Sequence, residues 1–170
     1  MMYDTHLAGG VLAGAAVAAA LSLPGESWVA AMLVGGVAAL LPDVDHGRAA
    51  LNQALRKGAP LAGDAVNAAL RGLLGHRAVT HSLAAAAVLT TALRFLWPAL
   101  PGALLLSFLL GYLSHLALDA LTPGGVWWLW PFDRRRGVPL VATGGPAEKF
   151  LVRPFLWLCV LLLAGRKFLV

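Results

Sequence analysis

Ala103-Leu104-Leu105-Leu106-Ser107-Phe108-Leu109-Leu110-Gly111-Tyr112-Leu113-Ser114-His115-Leu116-Ala117-Leu118-Asp119-Ala120-Leu121 carries its only carboxylate and its only histidine near one end. At 1.5 Å per helical residue, about 20 residues cross a hydrocarbon core of roughly 30 Å, so this run is long enough to span a bilayer. His115 and Asp119 stand four apart, which places them on one helical face. A His-x-x-x-Asp pair so placed can bind one or two metals. The stretch is apolar along its length and metal-ligating in type at one end.

The rest of the composition agrees with a membrane setting. The chain has 170 residues, 59% hydrophobic and only 12% charged, against about 25% charged in an ordinary soluble domain, and its mean hydropathy is +0.77. Its length fits one domain, residues 1–170. The lone cysteine, Cys159, lies in an apolar run and reads as an inert buried thiol. Ahead of the first apolar run stand Asp4 and His6 with no Lys or Arg. A secretory signal needs a basic start, so that run is read as a retained helix.

Four further apolar segments accompany the first, giving Leu7–Leu23, Trp28–Leu41, Val79–Trp97, Ala103–Leu121 and Phe150–Ala164. The expected fold is all-α, a polytopic membrane helix bundle with four to five transmembrane helices. The second and fifth segments are short, and Pro154 sits early in the fifth. Gly9, Gly10, Gly14, Gly35 and Gly36 crowd the first two, and small faces let helices approach closely in lipid. Residues 43–78 form a long loop with two weakly amphipathic stretches, expected as interfacial helices or as ordinary solvated ones. Trp127-Trp128-Leu129-Trp130 suits an interfacial aromatic belt.

Charge sets the orientation. With five crossings, loop 42–78 and segment 122–149 share the side of the N-terminus. That side holds Arg48, Arg56, Lys57, Arg71, Arg77, Arg134, Arg135, Arg136 and Lys149, with Arg153 at its edge. The other side holds Arg166, Lys167 and Arg94. Excess Lys and Arg mark the cytoplasmic face. The net charge of +5 therefore points to anionic lipid as partner. No stable nucleic-acid partner is expected, and a homo-oligomer is compatible with the sequence.

All five histidines, His6, His46, His76, His81 and His115, fall on that same side, as do Asp43, Asp45 and Asp119. The orientation follows from hydropathy and Lys/Arg alone, so this gathering of histidines and aspartates is partly independent of it. Leu41-Pro42-Asp43-Val44-Asp45-His46 ends the second segment, where Pro42 disfavours helix at Leu41. Gly75-His76-Arg77-Ala78-Val79-Thr80-His81-Ser82 opens the third. Taken singly, each histidine reads as an interfacial or capping residue, and His115 with Asp119 as a hydrogen-bonded pair. Taken jointly, ionisable groups at membrane depth are costly and mark function. Imidazole and carboxylate suit zinc, and also admit manganese or iron. Six or more ligands exceed one zinc's three or four, which favours two ions or more. Other chemistries find no motif here: there is no His-Glu-x-x-His, no phosphate-binding P-loop and no Gly-x-Ser-x-Gly.

Thr5-His6 with Gly10, the run 41–46, His76-Arg77 with Thr80-His81-Ser82, and Gly111 through His115 and Asp119 to Thr122-Pro123 and Trp130-Pro131 follow one another in order along nearly the whole chain. In this ordered set the sequence resembles the YdjM-like, membrane-bound, metal-dependent hydrolases of bacteria and archaea. That family is distantly similar to zinc-dependent phospholipase C and its nuclease relatives, in which a His-x-x-x-Asp pair binds metal. The resemblance implies a hydrolase using a metal-activated water.

The function expected is cleavage of a membrane-lipid phosphoester at the cytoplasmic face. His6, Asp43, His76, His81, His115 and Asp119 would hold the metals, and Asp45 would be a further ligand or the base. Arg77 would bind phosphate through its planar fork, and His46, Thr80 and Ser82 would support the substrate side. The rival readings are a metal-ion or proton transporter, and a hydrolase of soluble phosphate esters or nucleic acid.

Overall fold

A computed structural model describes residues 1–43 and 79–168. Among them the chain is all-helical. The α-helices are α1 (Tyr3–Ala20), α2 (Gly25–Ala38), α3 (Leu83–Leu96), α4 (Gly102–Ala120) and α5 (Arg153–Phe168). A 3₁₀ turn, Leu41–Asp43, follows α2, and a π-helical turn, Glu148–Val152, precedes α5. The interfacial helices expected in the 43–78 loop lie outside the described residues.

Among the described residues, two stretches, Gly25–Asp43 and Gly102–Ala120, are each 19 residues long and apolar enough to cross a membrane. That is fewer than the four to five crossings expected. α3 is apolar but has 14 residues, about 21 Å of helix. α1 and α5 carry charged residues in their terminal turns, Asp4 in one and Arg166 and Lys167 in the other.

The helix bounds differ from the apolar runs for local reasons. α1 begins at Tyr3, so His6 is inside the helix rather than ahead of it. α3 begins at Leu83 because Ser82 is its N-cap, accepting the Ala85 N–H at 3.1 Å. The Ser82 hydroxyl in turn donates to the Val79 carbonyl at 2.7 Å. Such a cap satisfies a donor that the first helical turn leaves open, and it holds Thr80 and His81 in the turn just ahead of the helix.

α1, α2 and α4 pack on one another, α5 lies against α1, and α3 against α4. The three central helices meet main chain to main chain. A Cβ added at Gly10 would lie 2.3 Å from the Gly35 carbonyl oxygen, and one added at Gly111 would also lie 2.3 Å from that oxygen. Real side chains do not approach so closely, so glycine is required at both contacts. This close approach is the packing expected of small residues where lipid supplies no apolar driving force.

Past α4 the chain folds back on the helix end. Val138 N–H donates to the Ala120 carbonyl at 2.7 Å and Val141 N–H to that of Leu121 at 3.0 Å, which satisfies acceptors a helix C-terminus leaves open. Val126, fully buried, pairs with Arg136 in one antiparallel bridge. The Leu83 N–H donates to the Trp128 carbonyl at 3.0 Å and ties the tryptophan run to the start of α3.

Candidate metal centre

The glycine contact lies one helical turn from the polar end of the bundle. His6 precedes Gly10 by four residues, Ala39 follows Gly35 by four, and His115 follows Gly111 by four. With the helices held at backbone distance, the residues one turn beyond converge. His6 comes from the first turns of α1, Asp43 from the turn after α2, His81 from the turn before α3, and His115 with Asp119 from the last turns of α4.

These five side chains face one another. His6 Nε2 lies 3.1 Å from Asp119 Oδ1, and His115 Nε2 lies 3.6 Å from Asp119 Oδ2. His81 Nε2 is 3.4 Å from Asp43 Oδ1, 3.6 Å from Asp119 Oδ2 and 3.2 Å from His115 Nε2. The rings of His6 and His115 stack with centroids 3.7 Å apart, and His81 meets His115 edge-on. His6 and His115 are wholly buried, and Asp43 and Asp119 keep a little exposure. The Met1 nitrogen also contacts Asp119.

Two main-chain and hydroxyl contacts orient the imidazoles. His115 Nδ1 lies 2.7 Å from the Ala39 carbonyl oxygen. A carbonyl only accepts, so Nδ1 carries a proton and Nε2 is the atom turned toward His81 and Asp119. His81 Nδ1 lies 3.1 Å from the Thr80 hydroxyl, and the Tyr112 hydroxyl donates to the Thr80 carbonyl at 2.6 Å. Outer contacts of this kind fix the orientation of histidine ligands in metal sites.

The donor set fits a divalent metal on three counts. First, the buried His6 Nδ1 has no hydrogen-bond partner, and His6 Nε2 and Asp43 Oδ1 face Asp119 and His81 without a well-formed hydrogen bond. Buried polar atoms without partners are costly, and a cation would satisfy them. Second, His6, Asp43 and His115 offer ligand atoms within 4.8 Å of one another, as do His81, His115 and Asp119. Third, two nitrogens each about 2.0 Å from a tetrahedral zinc sit about 3.3 Å apart. The His81–His115 Nε2 separation of 3.2 Å matches that.

Of the six ligands expected from sequence, the structure therefore brings together His6, Asp43, His81, His115 and Asp119. His76, Asp45, His46 and Arg77 lie outside the described residues. The Thr80 hydroxyl lies beside His81 Nδ1, and the Ser82 hydroxyl, next in the same turn, caps α3. Two participants escaped the sequence reading. The Ala39 carbonyl is invisible because any residue type supplies one. Tyr112 stands three residues before His115, but nothing in the sequence says that its hydroxyl reaches a turn 32 residues away.

Fold and site define a helical membrane protein with a buried cluster of histidines and aspartates at one end of its bundle. The chain belongs to the family described as YdjM inner membrane protein, whose profile matches residues 1–168. It is 35% identical over 124 residues to the inner membrane protein YdjM of Escherichia coli (strain K12) and equally to that of Shigella flexneri. Each match covers 69% of this chain and 59% of the relative, so the chain spans less than two thirds of these relatives' length. No solved structure matches it.

Proposed function

We propose that this protein is a membrane-bound, metal-dependent phosphoesterase acting on a membrane lipid. The observation that carries this reading is the pair of three-donor groups sharing His115 at one end of an apolar bundle. Five side chains exceed the needs of one zinc, and two ions are the arrangement suited to phosphoryl displacement. Zinc fits the nitrogen and carboxylate donors, and manganese or iron fits them less selectively. When bound, such ions supply an acidified water and positive charge against the phosphate oxygens. The chain's own part is to hold the donors. His115 is locked through Ala39 and His81 through Thr80, Asp119 stands between His6 and the other two histidines, and Asp43 closes the remaining side. Hydrolysis adds water across the phosphorus–oxygen bond, and the leaving alcohol departs with one of the water's protons.

We further propose that four to five segments cross the bilayer and that the centre faces the cytoplasm. Arg134, Arg135, Arg136, Lys149 and Arg153 stand at the donor end, against Arg94, Arg166 and Lys167 at the other. Anionic lipid of the cytoplasmic leaflet is the partner this charge favours. Transport of a metal ion or proton finds less support. The donors gather at one end rather than at the midplane where transporters bind, and the three central helices touch at Gly10, Gly35 and Gly111 one turn below them.

The deciding experiment is elemental analysis of purified protein alongside product release from phospholipids and polyprenyl phosphates. The expected result is two or more ions per chain, as a two-metal centre requires, with turnover, and loss of both in His81→Ala. Metal-loaded protein that cleaves neither lipid class would remove the substrate assignment, and protein that never takes up metal would remove the centre itself.

A further inference from the structure

Beside the centre, between α3 and α4, lies a groove of about 370 Å³ whose lining is almost wholly apolar. Its walls include Leu41, Val88, Leu89, Tyr112 and Trp130, and one end is formed by Thr80. Three observations say what it accepts. The groove meets the centre directly, since Thr80 lines it and also contacts His81 Nδ1 at 3.1 Å, and Leu41 stands two residues before Asp43. The opposite end runs along α3 to Leu89, seven residues past Ser82, or about 10 Å of helix toward the bilayer interior. Its lining offers almost no hydrogen-bonding surface, so a peptide or sugar would leave polar groups unsatisfied there. A hydrocarbon chain leaves none.

We infer that this groove is the chain subsite for an amphiphilic substrate. The hydrocarbon tail lies along Leu41, Val88 and Leu89, Trp130 borders it, and the phosphate headgroup is presented past Thr80 to His81, His115 and Asp119. The polarity of the site matches that of the ligand, apolar in the groove and cationic, once metal is bound, at its head. The volume falls in the usual range for small-molecule sites, about 300–1,000 Å³. The tryptophan run gains a role here. The Leu83–Trp128 hydrogen bond holds Trp130 against α3, which makes it a wall of the groove as well as an interfacial residue. This assignment rests on the phosphoesterase reading for its headgroup end.

The test uses full-length protein in bilayers containing a phosphate-headed lipid with a diazirine midway along one chain. A lipid with the same chains and a trimethylammonium head serves as comparison. The expected result is labelling concentrated on residues 79–96 for the phosphate-headed lipid, and a fall of about tenfold in Val88→Trp, the change expected when two methylenes are kept out of an apolar site. Ala84→Trp, on the same wall, gives the same fall. Leu33→Trp, on α2, 63% exposed and outside the groove lining, leaves the labelling as it was. Labelling spread evenly over all lipid-facing helices, or unchanged by Val88→Trp and Ala84→Trp, overturns the subsite. Focused labelling by a protein that releases no product from any phosphoester upholds the chain site and overturns the phosphoesterase reading instead.

Discussion

His115 Nδ1 and the Ala39 carbonyl oxygen are 2.7 Å apart, and through this contact α2 sets the ring orientation of a histidine on α4. A buried side chain with one nitrogen committed to the main chain and the other turned toward His81 and Asp119 is built to present a ligand atom in one direction. His115→Ala is therefore expected to weaken metal binding by about 100-fold or more, beyond the 10–100-fold typical of losing an outer contact. Competition with a chromophoric chelator reads this directly. Affinity within a few-fold of the wild type would show that His115 is not a ligand.

The glycine contact predicts a contrast between two conservative substitutions. Gly111→Ala places a methyl 2.3 Å from the Gly35 carbonyl oxygen, whereas a methyl on Gly102 meets nothing within 4 Å. Overpacking of a tight contact costs about 1–3 kcal/mol or more. Gly111→Ala is expected to lower thermal stability in detergent by that amount and to weaken metal binding, since His115 is one turn away. Gly102→Ala is expected to behave as wild type. Equal melting of the two variants would mean that the helices are not held at main-chain distance.

Glu148 stands ahead of the fifth apolar segment, wholly buried, and accepts the Met2 N–H and the Gly144 N–H at 2.6 Å each. Burial alone would raise its pKa, but these main-chain donors prevail and hold it below the ordinary value of 4.5. A carboxyl with a depressed folded pKa stabilises the protein above its unfolded pKa, and that stabilisation is lost as pH falls through the folded one. Glu148→Gln is thus expected to cost about 1.5–3 kcal/mol near neutrality, the scale of hydrogen bonds to a charged group. The gap to wild type should close as pH drops below about 4. Urea or thermal melts across that range check both the size and the sign.

Arg153 and Asp4 form an ion pair that also joins α5 to α1, but both side chains are about one third exposed. Solvent screening wins there, and exposed pairs are worth about 0–1 kcal/mol. Arg153→Gln is expected to shift stability by less than the Glu148→Gln change in the same melts. A larger effect from Arg153→Gln would mean that the pair is shielded by lipid rather than by water.

Much of this was legible in the sequence because hydropathy and metal-ligand type are properties of single residues. The Ala103–Leu121 run became α4 to within one residue at each end, and five of the proposed ligands met because helices of alternating direction return to one face. What could not be read depends on three-dimensional pairing. Gly10 and Gly111 both announce close packing, but only the fold shows that they share Gly35 as a partner. Ser82 follows Thr80-His81 and lines the groove beside them, but that its hydroxyl also caps α3 is a contact that residue type alone leaves open. His6 was placed ahead of the first helix because the apolar run begins at Leu7, whereas the helix itself starts at Tyr3.

The placement of donors on α1, after α2, before α3 and on α4 has a consequence for biosynthesis. A ribosome releases these residues in the order 6, 43, 81, 115, 119, and α4, which carries the last two, must already be inserted before they can join the others. Until then the nascent chain holds histidines and aspartates that have nowhere to converge. The metal loading proposed above could therefore only follow membrane insertion of α4, since both three-donor groups include His115.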